Sequence, residues 1–186
     1  MNRTIKHAKE DRVWFTSDLH FGHNKEFLYK PRGFETIEEM NNKIIENLKV
    51  CVGENDYLYI CGDLALCPLE EAEYWLRQLP GKVRVIIGNH DTDARLELYE
   101  QLGFEVFFGA RLRWSHYHFF LSHYPTLTAN PGEDKLSLAH INLFGHTHDQ
   151  SCWHLENPYA YNVGMDAHNC YPCRIDHIVE DLKLFI

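Results

Sequence analysis

At 186 residues the chain can bury one sizeable core, and its 45% apolar and 24% charged residues exclude a disordered or membrane protein. The formal net charge of −9 and a pI near 5.8 argue against general binding of duplex nucleic acid, which needs a basic footprint. No apolar run approaches the ~20 residues of a membrane span, and no apolar stretch follows the charged MNRTIKHAKEDR as a secretory signal requires, so the expectation is one cytosolic domain over 1–186.

In chain order, residues 13–17 read as a strand that leads into a loop, 18–34, rich in His, Gly, Pro and Arg. Thr36 and Glu39 form a capping box, predicting that hydroxyl and carboxylate satisfy orphan amides reciprocally. Ile37, Met40, Ile44 and Leu48 then recur at helical spacing, predicting an amphipathic helix over 37–50. A second strand, 57–61, ends at Gly62-Asp63, and Pro68 opens a helix at about 68–79, where a missing amide costs nothing. Strand 82–87 runs into Gly88-Asn89-His90-Asp91, and a short helix over about 93–102 closes at Gly103. Beyond it FEVFF, LRWSHYHFFLS, INLFG and AYNVG follow with little helix between them, which predicts a more antiparallel second half. The tail, RIDHIVEDLKLFI, reads as strand, short helix or one after the other. The expected fold class is α/β, a two-sheet β-sandwich flanked by helices with a βαβαβ first half.

The chemistry concentrates where apolar runs end. Asp18-Leu-His20 follows VWFTS, Asp63 follows YLYIC, Asn89 and His90 follow KVRVIIG, His123 follows HYHFFLS, and His146-Thr-His148 follows INLF. An α/β fold gathers distant residues in this way at the ends of its strands. Imidazole, carboxylate and amide oxygen suit a divalent cation of hard-to-borderline character, and the inventory suits two. Asp18 and His20, two residues apart, are expected on the same side of an extended backbone, and His146 and His148 likewise. Each stretch alone is a common surface or turn pattern; five of them, all at the ends of apolar runs, are not.

This order resembles the calcineurin-like metallophosphoesterase superfamily, whose motifs D-x-H, G-D, G-N-H-D/E, an isolated H and G-H-x-H stand here as DLH, GD, GNHD, SHYP and GHTH, over roughly residues 13–166. DLHFGHNK and RGFETIEEMNNKIIENL look like a branch of small stand-alone bacterial or phage phosphoesterases. The resemblance implies two divalent metal ions. Asp18, His20, Asp63 and His148 would bind the first; Asp63 as bridge, Asn89, His123 and His146 would bind the second. It further implies in-line hydrolysis of a small phosphoester by a hydroxide shared between the metals. His90 would serve as general acid or steady the phosphoryl charge, and Asp91 would orient His90 or act as a helix N-terminal acid. Mn²⁺ is the expected ion in vitro, with Fe, Zn²⁺ or Ni²⁺ also compatible with the donors. A phosphodiester of the nucleotide or cyclic-nucleotide class is favoured over a monoester. A non-catalytic interaction module on the same fold is the competing class, and the complete donor set with His90 argues for catalysis.

Several residues lie around this set. His23 is expected to support a ligand from behind or reach substrate, and Arg32 to fork onto a phosphate oxygen or to stay a solvated loop cation. Asn162-Val-Gly-Met-Asp166 looks like the family's closing element, with Asp166 structural rather than catalytic. His116 and His118 are expected on one face of a strand, and Trp14, Trp75, Trp114 and Trp153 in the core. The six cysteines are expected as reduced, small hydrophobic residues, the Cys170/Cys173 pair included.

Overall fold

The structure is a computed structural model that describes residues 4–129 and 139–185. In chain order its elements are β1 (Ile5–His7), β2 (Val13–Thr16), α1 (Glu26–Tyr29), α2 (Ile37–Cys51), β3 (Tyr57–Ile60), α3 (Leu69–Leu76), β4 (Lys82–Ile86), α4 (Asp93–Gln101), β5 (Glu105–Phe107), β6 (Ala110–Trp114), β7 (Tyr117–Leu121), β8 (His140–Phe144), β9 (Ala160–Asn162), β10 (Cys173–Arg174) and α5 (Ile175–Phe185). Among the described residues two five-stranded sheets form, ordered β1-β6-β7-β8-β9 and β10-β2-β3-β4-β5.

Alternation along the central strands explains the layering. Val13 and Phe15 of β2 face the other sheet, where they join Leu112, Phe119, Leu121, Ile141 and Leu143 in the sandwich core. Trp14 of β2 and Leu58 and Ile60 of β3 point the opposite way, onto the helices. There α2 buries Met40, Ile44, Ile45 and Leu48, each worth on the order of 1.5–3 kcal/mol. The Thr36 hydroxyl caps α2 by accepting from the Glu39 amide at 3.1 Å. The Glu39 carboxylate reaches the Glu35 amide, one residue before the cap, so the box is not reciprocal as expected. The tail resolves as both alternatives in succession, a two-residue strand and then a helix whose Ile178, Val179 and Leu182 close the sandwich.

The second half corrects the sequence reading. Among the described residues, only β6 and β7 run antiparallel in their sheet, whereas β1 with β6, β7 with β8 and β8 with β9 are all parallel. Short apolar runs look alike in either pairing, so periodicity did not announce the strand direction. The segment expected to carry His116 and His118 on one strand face is instead a hairpin. Ser115, with φ of +56°, turns the chain between β6 and β7, and only His118 lies in a strand. Trp14, Trp75 and Trp114 are buried and Trp153 is half-buried against the core. All six cysteines carry free thiols. Among the described residues, no helix is long and apolar enough to cross a membrane.

Candidate metal centre

Parallel pairing decides where the donors meet. Strands β2, β3 and β4 run together in one sheet, and β7, β8 and β9 in the other. Their C-terminal ends therefore lie at the same edge, and the loops that follow are stitched to one another. The Asp18 amide donates to Gly62 O at 3.1 Å, His20 N to Asp63 O at 3.0 Å, Gly145 N to His123 O at 3.0 Å, and Met165 N to Ser17 O at 3.1 Å.

The backbone here is not extended. Asp18, His20, Asp63, His146 and His148 all have positive φ, between 49° and 71°. The expectation that Asp18 and His20, or His146 and His148, share a face by strand alternation is therefore corrected. Each is turned inward by a left-handed residue instead, a conformation that costs a non-glycine of order 1–3 kcal/mol and clusters at functional sites. Close approach also requires glycine. A Cβ on Gly88 would overlap the Asp63 carboxylate, and one on Gly145 would overlap Ser17 and Asp18.

Two donor sets result. In the first, His20 Nε2 and His148 Nε2 stand 3.2 Å apart, and Asp18 Oδ1 lies 3.8 Å from each. In the second, Asn89 Oδ1 lies 2.8 Å from His123 Nε2 and 2.9 Å from His146 Nδ1. Asp63 Oδ2 sits between the sets, 3.8 Å from His20 Nε2 and 3.5 Å from His123 Nε2. Its other oxygen accepts from the His90 amide at 2.9 Å, and the Asp18 Oδ2 accepts from the His146 amide at 2.8 Å.

The arrangement fits divalent cations on three counts. Atoms about 2.1 Å from one ion stand roughly 3–3.5 Å apart, which is close to the spacing within each set. Asp18 Oδ1 is buried and has no hydrogen-bond partner, an expensive state for a carboxylate oxygen without a cation. His123 donates its Nδ1–H to Cys61 O at 2.7 Å, which leaves a lone pair on Nε2 facing the Asn89 carbonyl. Lone pairs turned toward one another belong around a shared positive charge.

Burial pushes the His20 pKa down to about 2, with His148 adding to the effect, so its ring is neutral and able to ligate. Burial also lowers His146, and it raises Asp63, whose carboxylate lies among other acids. His148 is raised, chiefly by its hydrogen bond to Asp166.

Asp166 is the residue the sequence reading undervalued. Its carboxylate accepts from His148 Nδ1 at 2.9 Å and from Arg32 Nε and Nη2 at 2.9 and 2.7 Å. Burial alone would raise its pKa, yet His148 and Arg32 together hold it well below the ordinary carboxylate range. It orients His148 as carboxylates orient metal-ligating imidazoles. The signal available in the sequence was an acid at the end of Asn162-Val-Gly-Met-Asp166, following another apolar run.

Arg32 is corrected accordingly. Its side chain is 1% exposed, pairs with Asp166 and donates to Asp18 O at 2.9 Å, so it braces the donors and is neither a solvated cation nor a phosphate fork. Asp91 is corrected as well, since it does not touch the His90 ring. Its Oδ2 accepts from Asp63 N at 3.1 Å and Gly88 N at 2.8 Å, and its Oδ1 from Tyr99 Oη at 2.7 Å, so it ties the ends of β3 and β4 together. His90 stands at the rim with its side chain 41% exposed and Nε2 3.9 Å from Asp63 Oδ2. The His23 ring lies 5.5 Å from that of His20 and lines the adjoining cavity, with Nδ1 buried and unpartnered.

A family model for calcineurin-like phosphoesterases matches residues 11–167. The chain is 31% identical to the Gene 66 protein of Mycobacterium phage D29, across 92% of this chain and 97% of that one. It is 29% identical to an uncharacterized protein of Methanocaldococcus jannaschii, across 91% and 90% respectively. A protein of unknown function from Aquifex aeolicus has the same fold, with a TM-score of 0.67 at 21% identity over 94% of this chain and 99% of the other.

Proposed function

The chain belongs to the calcineurin-like phosphoesterase family, and from that premise we propose that it hydrolyses a phosphodiester of the nucleotide class at a pair of divalent cations. The observation that carries this reading is the convergence of two donor sets on the single carboxylate of Asp63. Asp18, His20, Asp63 and His148 would hold one cation, and Asp63, Asn89, His123 and His146 the other, with Mn²⁺ the ion expected to support turnover in vitro. When bound, such a pair lowers the pKa of water and neutralises phosphoryl oxygens for in-line displacement.

The protein's own groups do the rest. Asp63 is fixed by the His90 amide so that its second oxygen faces both donor sets. His90 presents Nε2 on the open side of the cluster, 3.9 Å from Asp63 Oδ2, where a leaving oxygen would depart, and acts as general acid. The diester preference rests on charge. A monoester brings a second negative charge, and the guanidinium packed against the site, Arg32, is already paired with Asp166. Six free thiols suit a reducing compartment, and we place the activity in the cytosol.

The test is hydrolysis of bis-p-nitrophenyl phosphate beside p-nitrophenyl phosphate, with and without Mn²⁺, in the wild type and in His90→Ala. The expected result is Mn²⁺-dependent turnover that favours the diester and falls ~10²-fold or more in the variant, which keeps both metals. Preference for the monoester would reverse the substrate assignment, and wild-type rates in His90→Ala would remove the general acid.

A further inference from the structure

Beside the donor cluster opens a cavity of about 500 Å³. His20, His90 and His148 form its inner wall, so it is continuous with the metal centre. Its outer wall is apolar, built from Phe27, Leu28, Pro31 and Leu66. Phe27 is 72% exposed, and its ring stands edge-on to His23 at 5.7 Å on the cavity wall rather than packed into the core. A large apolar side chain left in water at the rim of a catalytic cluster marks a ligand surface more than a packing defect.

The lining also has a charge preference. No Lys or Arg is among the described residues that form it, while the Asp166 carboxylate is. Arg32, behind Asp166, is already paired with that carboxylate, so a second phosphoryl group would find no free cationic side chain there and an anionic arm is disfavoured. The volume lies within the range of small-molecule pockets, so it admits a small organic arm rather than a polymer. Because His90 lies on the inner wall, the arm in this cavity is the one whose oxygen His90 protonates.

We propose that this cavity binds the leaving-group arm of the ester, that it selects an uncharged aromatic group, and that Phe27 is the specificity-determining side chain. The proposal rests on the phosphoester reading above, and a binding assay separates the two. Methyl(phenyl)phosphinate and dimethylphosphinate carry the single negative charge of a diester head, are not hydrolysed, and differ only in one arm. Calorimetric titration of each into the Mn²⁺-loaded full chain is expected to show methyl(phenyl)phosphinate binding about tenfold more tightly. In Phe27→Ala that advantage should vanish, with metal content and melting temperature unchanged because the replaced ring is exposed.

Equal affinities in the wild type, or a preference that survives in Phe27→Ala, would overturn the proposal. Binding of neither compound by protein that holds two Mn²⁺ would overturn the phosphoester reading, and the subsite with it. A phenyl preference lost in Phe27→Ala, in protein that hydrolyses no ester, would support the subsite and count against the esterase alone.

Discussion

Replacing Asp166 by Asn should weaken the protein in both fold and metal affinity without altering any cation-facing atom. The carboxylate takes two hydrogen bonds from Arg32 and one from His148, with the Arg32 and Asp166 side chains only 1% and 10% exposed. An amide can keep the oxygen that Arg32 Nη2 and His148 Nδ1 share, but it turns an NH₂ group toward Arg32 Nε and carries no charge, so a buried guanidinium loses its counter-charge. Breaking such a buried pair costs ~3–5 kcal/mol, and the retained acceptor places the expected loss near the lower end, at about 3 kcal/mol. For a chain of this size that lowers Tm by about 6–12 °C. His148 is left with a neutral acceptor in place of a carboxylate, which should weaken metal binding ~10-fold, the lower end of such effects.

The pH dependence has a definite sign. Asp166 is depressed in the folded state, so its contribution is present above its ordinary value of about 3.9 and lost as pH falls through the folded one. His148 is raised, so its contribution is present below about 6.5 and lost as pH rises through its folded value. In metal-free protein the penalty of Asp166→Asn should therefore be greatest between these limits, shrink in acid as Asp166 itself becomes neutral, and shrink partly in alkali, where the Arg32 pair remains. Thermal melts of the metal-free protein across pH, with a Mn²⁺ titration at about pH 7, measure both effects. A Tm within about 2 °C of wild type together with an affinity within about twofold would refute the bracing role.

Three further outcomes are expected. Asp63→Asn should weaken both cation sites together, and elemental analysis finding two tightly held metals in it would remove the bridging assignment. Gly88→Ala places a methyl group against the Asp63 carboxylate and 2.7 Å from its amide; it should cost ~1–3 kcal/mol in urea unfolding and lower metal content, and wild-type values for both would contradict the packing argument. Tyr99→Phe removes the hydroxyl that donates to Asp91 at 2.7 Å; a loss of ~1.5–3 kcal/mol is expected by thermal melt, and an unchanged Tm would show that Asp91 is held by the two amides alone.

Much of this protein is legible before any coordinates. The helical spacing of Ile37, Met40, Ile44 and Leu48, the cap at Thr36 and the stop at Gly103 all reflect interactions within a few residues of chain, and α2 and α4 lie within a residue of where that spacing puts them. Local signals failed where the partner was remote. Strand direction after Gly103 depends on which strand lies alongside, and short apolar runs look alike in parallel and antiparallel sheets. Ser115 carries no glycine or asparagine to announce its turn, so the β6–β7 hairpin read as one run.

The metal centre divides along the same line. Donor identity is chemical and local, so the sequence alone determined which side chains could hold cations: carboxylates, imidazoles and an amide at the ends of apolar runs. How they face one another is a property of the tertiary structure. Parallel pairing brings the strand ends to one edge, and left-handed residues at Asp18, His20, Asp63, His146 and His148 turn the donors inward. The parts played by Arg32, Asp91 and Asp166 were settled there too, by partners as far as 134 residues along the chain. A charged side chain in a buried site is used by whichever opposite charge or unmet amide the fold sets beside it, and no spacing within a single segment encodes that neighbour.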